Sequence, residues 1–129
     1  MKGSCFCGSV SFEIDGAIHS PRYCHCTTCR KFSGTAYAAW GLVSTSEMTV
    51  TVSTGGVTKY DSGGGSRVFC TSCGSPVWYE PAGLVQFRGI PLGAIDDGDV
   101  PVPQMHVWTR SKVPWVSVAD DLPQHETHP

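Results

Sequence analysis

No stretch of this sequence is apolar for long enough to cross a membrane; nothing approaches the run of about 18 residues that a spanning helix requires. Met1–Cys5 offers no apolar core of the kind a signal peptide needs, so the expected location is the cytoplasm. Charge is scarce as well. Only 16% of the 129 residues are Asp, Glu, Lys or Arg and the formal net charge is −2, so no basic surplus exists to draw nucleic-acid phosphates or anionic lipid. Neither nucleic acid nor membrane is an expected partner. Solitary cysteines are missing too: the seven present fall into three tight groups, Cys5/Cys7, Cys24/Cys26/Cys29 and Cys70/Cys73.

What is present points to a single all-β domain spanning residues 1–129. A chain of this length buries roughly two-thirds of its unfolded surface around one core. Fifteen glycines and nine prolines favour turns over long helices. Ser9–Ile14 and Met48–Val52 alternate polar and apolar residues, the period-two pattern of half-buried strands. Shorter strands are expected at Arg22–Cys24, Thr35–Val43, Val57–Tyr60, Arg67–Cys70, Val77–Tyr79, Leu84–Gly89 and Met105–Trp108, ordered as an antiparallel meander. Thr27 or Thr28 would cap a short helical turn that Gly34 ends. Ile95–Asp99 and Pro101–Pro103 read as polar loop, Trp115 as an aromatic laid onto the core, and residues 119–129 as a frayed polar tail.

In a reducing compartment, clustered cysteines are more often metal ligands or redox groups than disulfides, and an odd total cannot pair completely. Structural zinc takes four tetrahedral ligands, and Cys5, Cys7, Cys70 and Cys73 supply such a set. In the segment Cys70–Gly74 the glycine allows the positive φ of a zinc knuckle. Cys24, Cys26 and Cys29 then form a three-thiolate set with no fourth ligand in the segment, and an open coordination position distinguishes catalytic from closed zinc. Two zinc ions per chain are the expected cofactors. The three-thiolate ion would carry a net charge near −1 and hold a further soft ligand well, an exogenous thiolate above all.

Arg30 and Lys31 follow these ligands at once, and as substrate-binding groups they would grip carboxylates; the competing reading is a solvated basic turn. His25, placed between two ligands, would tend to point away from their metal, which favours a surface or proton-relay role over ligation. His106 sits in an alternating strand, facing either the core as a hydrogen-bonded histidine or a pocket as a catalytic base. Trp40, Trp78, Trp108 and Trp115 are read mainly as core residues.

These residues resemble the glutathione-dependent formaldehyde-activating enzymes and their relatives, which include centromere protein V. The resemblance rests on Gly3-Ser4-Cys5-Phe6-Cys7-Gly8, on Cys24-His25-Cys26-Thr27-Thr28-Cys29-Arg30-Lys31 with Ser33-Gly34, and on Phe69-Cys70-Thr71-Ser72-Cys73-Gly74-Ser75-Pro76. His106, Pro114-Trp115 and Leu122-Pro123 extend it over nearly the whole chain. It implies a zinc-containing β-tent of stacked antiparallel sheets. In that fold Cys5, Cys7, Cys70 and Cys73 match the structural zinc ligands, and Cys24, Cys26 and Cys29 match the proposed catalytic ones. The implied reaction adds glutathione to formaldehyde and is classed in reverse as a carbon–sulfur lyase.

Three functions follow as expectations. The first is a zinc-dependent carbon–sulfur lyase acting on an adduct of glutathione or another small thiol, with His25, His106 or water as the base. The second, from a different class, is a zinc-stabilised protein- or nucleic-acid-binding module, disfavoured by the negative charge and the lack of a basic extension. The third is a redox switch, in which a disulfide among Cys24, Cys26 and Cys29 expels zinc.

Overall fold

Alternating side chains and closely spaced turns give eleven strands and one α-helix. The computed structural model describes Met1–Pro129 and places β1 at Lys2–Ser4, β2 at Val10–Ile14, β3 at His19–Cys24, α1 at Thr27–Ser33, β4 at Ala38–Ser44 and β5 at Met48–Val52. It continues with β6 at Val57–Asp61, β7 at Gly65–Cys70, β8 at Pro76–Pro81, β9 at Phe87–Pro91, β10 at Ile95–Asp97 and β11 at His106–Val107. Two sheets result. One is four-stranded in the order β10-β1-β2-β5, and the other is seven-stranded in the order β11-β3-β4-β9-β8-β7-β6.

The fold is therefore all-β, with two departures from a simple meander. The strands of the large sheet are reordered, and β3 and β11 run parallel, with His106 opposite Tyr23 and Val107 opposite Cys24. Where the two sheets face each other, Val10, Phe12 and Ile14 of β2 pack with Val43, Val68, Trp78 and Ile90 of the large sheet. Cys5 and Cys70 border this core. Ile90, Val10 and Val43 are wholly buried, each worth on the order of 2 kcal/mol in transfer free energy.

Four local expectations meet a different outcome. Ile95–Asp97 is an edge strand rather than loop, because its carboxylates point outward and bond back to β1: Ser4 Oγ donates to Asp96 at 2.6 Å, and the Lys2 amide to Asp97 at 3.1 Å. The cap of α1 is Cys26, whose Sγ accepts the Cys29 amide at 3.3 Å, while Gly34 ends the helix at φ +64° as expected. Trp115 is 72% exposed, and Val113 takes the inward position two residues earlier. The terminal segment lies along β11, whose outer backbone groups need partners: the His106 amide donates to Pro123 O at 2.8 Å and the His125 amide to His106 O at 2.9 Å.

Candidate active site at the three-cysteine cluster

The turn after β1 carries Cys5 and Cys7, and the knuckle between β7 and β8 carries Cys70 and Cys73, so the two sheets meet at four sulfurs. All four lie within 4.8 Å of one another, with Cys5 and Cys7 3.6 Å apart and Cys7 and Cys70 3.8 Å apart. Four thiolates at about 2.3 Å from a tetrahedral zinc stand about 3.8 Å from each other, so the spacing fits. The knuckle is built as its sequence implies: Gly74 has φ +76° and its amide donates to Cys70 O at 2.8 Å. Ser75, through its hydroxyl and its amide, and then the Cys7 amide hold the Cys73 thiol down to about 5. Buried Ser9 adds its hydroxyl 3.1 Å from Cys7 Sγ and 3.2 Å from Cys70 Sγ. The set is complete and closed.

Cys24 ends β3, Cys26 caps α1 and Cys29 lies in its first turn, and their three sulfurs also fall within 4.8 Å of one another. Hydrogen bonds from Cys24 and then Cys29 hold the Cys26 thiol far below its ordinary range, while the same contacts push Cys24 far above it. Without a metal the trio shares negative charge. With one, all three become thiolates. All three line a cleft of about 510 Å³, whereas of the four-sulfur set only Cys5 borders a cavity, and there four sulfurs already make up a tetrahedral ligand set.

The floor of that cleft is one row across the large sheet. Arg22 on β3 is paired with Trp40 on β4, Leu42 with Gly89 on β9, Gly89 with Tyr79 on β8, and Tyr79 with Arg67 on β7. Alternation turns these side chains to the cleft and their neighbours Val43, Ile90, Trp78 and Val68 to the core. Gly89 keeps the floor open, since a Cβ there would stand 3.3 Å from the Tyr79 ring and 3.7 Å from Trp40. Arg67 donates from Nη2 to Cys29 Sγ at 3.7 Å and lies 4.2 Å from the Tyr79 ring centroid. Trp108, in the left-handed region at φ +59°, and His128 complete the wall, their rings edge to face at 5.6 Å.

A scan against family models matches residues 1–111 to the glutathione-dependent formaldehyde-activating enzyme family. The chain belongs to this family. A provisionally named glutathione-dependent formaldehyde-activating enzyme of Halomonas elongata is 28% identical over 128 residues, covering 92% of this chain and 80% of that protein. A crystal structure of a Rhodobacter sphaeroides protein shares the fold with a TM-score of 0.62 at 23% identity, over 77% of this chain and 91% of its own.

As a family member, the chain assembles both cysteine sets that its sequence pairs. The two histidines also meet, but on the other side of β3 from the cleft. In extended backbone Cys24 and Cys26 face one way and His25 the other. His25 is fully buried, its Nε2 is 2.8 Å from His106 Nδ1, and His106 Nε2 is 3.0 Å from Asp120 Oδ2. Burial, and then the charges of His106, Lys112 and Arg30, push the His25 pKa down. Arg30 and Lys31 sit on α1 away from the cleft lining, with Arg30 Nη2 donating to Thr27 Oγ1 at 3.4 Å. Arg22, Arg67, Tyr79 and His128 were not legible as cleft residues, although a lone arginine opening an apolar strand run, as in Arg67-Val68-Phe69, is a usable signal.

Proposed function

We propose that this chain is a carbon–sulfur lyase-type enzyme that makes or breaks the S-hydroxymethyl adduct of glutathione or a related small thiol at the three-cysteine cleft. One observation carries this reading: of two cysteine sets, one offers the four sulfurs of a complete tetrahedron, and the other offers three, all lining a cavity with room for a small molecule. A zinc ion held by Cys24, Cys26 and Cys29 would supply Lewis acidity, favouring the thiolate form of a substrate sulfur.

The protein's own groups do the rest. Trp40 and Tyr79 provide a flat apolar floor that orients the organic part of the adduct and excludes water. Arg67, against Cys29, offsets negative charge gathered at the sulfurs. His25 and His106 act in this reading from behind the cleft, as positioning residues: their bond to one another fixes the turn that presents Cys24 and Cys26. The proton on the hydroxymethyl oxygen passes to water at the cleft mouth. A cytoplasmic setting, where thiols are reduced and glutathione is abundant, fits the chemistry and belongs to the same proposal.

The test compares exchange of S-hydroxymethylglutathione with free formaldehyde and glutathione, followed by exchange NMR above the uncatalysed rate, for the native chain and Cys26→Ser. Turnover should fall to background in the variant. Wild-type turnover from Cys26→Ser that has lost the metal of this site would refute the reading.

A further inference from the structure

Buried arginines are rarely left unpaired, because desolvating a charge without a partner is costly. Arg67 is only 6% exposed, yet the chain's two ion pairs are Lys59–Glu80 and His106–Asp120. Its Nε has no acceptor, and the contact of Nη2 with Cys29 Sγ is long at 3.7 Å. The rings of Tyr79, Trp40 and Phe32, with centroids 4.2, 5.6 and 5.9 Å from the guanidinium carbon, hold its flat faces but accept none of the N–H groups in its plane.

A second donor is stranded on the same floor. Trp40 is 7% exposed and its Nε1 has no acceptor. At the far end of the row Arg22 lines the cleft, again without a carboxylate partner, and neither Asp nor Glu is among the lining residues. The cysteine thiolates account for part of this. Three of them around a divalent ion leave one negative charge, which one arginine balances; two arginines and an unpaired indole N–H exceed it.

We propose that Arg67 and Arg22, one at each end of this floor, are carboxylate-binding groups of the three-cysteine cleft, so that the cleft selects thiols and thiol adducts bearing a carboxylate over neutral ones. This rests on the reading of the cleft as a thiol-adduct site and assigns its specificity to two side chains. The guanidinium fork suits a carboxylate bidentately, and Arg67 lies close enough to Cys29 that the carboxylate it holds is a few bonds from the sulfur. The organic span between them lies over Trp40 and Tyr79, in the gap that Gly89 leaves.

The experiment uses ligands that cannot react: S-methylglutathione and its dimethyl ester, titrated into the full chain by tryptophan fluorescence and calorimetry. The acid should bind at least about tenfold more tightly than the ester, the scale of one charge-assisted hydrogen bond. Arg22→Gln and Arg67→Lys should each shrink that ratio, the lysine keeping the charge but losing the fork, and salt should weaken the acid alone. Equal binding of acid and ester by the native chain, equal weakening of both by the variants, or no binding of S-methylglutathione would each overturn the carboxylate selection. Should Arg67→Lys fail to fold, Arg22→Gln and the native ratio decide. The two proposals also fail separately. Equal kcat/KM on the hydroxymethyl adducts of glutathione and its ester would sink the carboxylate selection and spare the lyase, whereas an acid-to-ester ratio that persists without lyase turnover would support the selection and sink the lyase.

Discussion

His25 Nε2 and His106 Nδ1 lie 2.8 Å apart although 81 residues separate them in the chain. The bond ties the end of β3 to β11 one residue from each of two cleft cysteines. His106→Ala strips His25 of its partner in a fully buried site, where Nδ1 already has none. We expect a loss of about 2–4 kcal/mol in urea unfolding, with weaker metal retention at Cys24, Cys26 and Cys29 and none lost from the four-sulfur set. Unchanged unfolding would mean that the pair bears no weight.

Asp120 and His25 set the acid side of the stability curve. The carboxyl of Asp120 is held below its usual pKa, chiefly by its hydrogen bond with His106, so its contribution is present above about pH 4 and is lost as pH falls through the lower folded-state value. His25 is held below its ordinary value by burial; the unfolded chain therefore takes up a proton first, and stability declines as pH drops below about 6.5. Thermal melts from pH 8 down to pH 2 should fall in two stages, the second below about pH 4. His25→Gln should remove the first, and Asp120→Asn the second.

Metal counting separates the two cysteine sets. Protein purified under reductant with zinc supplied should carry two ions per chain by elemental analysis. Cys73→Ser should carry one and melt at a far lower temperature, since four-sulfur binding is coupled to folding on the order of 10 kcal/mol in small zinc peptides. Cys26→Ser should also carry one, with its melt close to native. Identical melts for the two variants would contradict a division into staple and working site.

Gly3 tests the joint between the small-sheet strands. A Cβ at this position would collide with the Phe12 ring and stand 2.5 Å from Ala94 O, a backbone atom that cannot step aside. Gly3→Ala should cost about 1–3 kcal/mol by chemical denaturation. Gly34→Ala, at φ +64° in open space, should cost about 1 kcal/mol from backbone strain alone.

Both cysteine clusters and nearly every strand were legible because each rests on local spacing: cysteines separated by one or two residues, side chains alternating by two. What local pattern could not reveal was pairing across distance. Ile95–Asp97 has the composition of a loop and becomes a strand only because β1 offers it an edge. Arg30 and Lys31 adjoin the three cysteines in sequence yet lie outside the cleft lining, while Arg22 and Arg67, 45 positions apart on β3 and β7, flank the cleft floor in space. Asp120 completes the histidine chain from a segment with no periodic signal at all.

The segment that runs along β11 has a further consequence. A sheet with a bare outermost strand offers unpaired amides and carbonyls to any other chain, a template for sticking together. Here one border of the seven-stranded sheet is closed by the parallel bridge of Gln124 to His106, and the other, β6, carries Lys59. The last stretch of the chain thus occupies, on that border, the place that a strand of a neighbouring molecule would take.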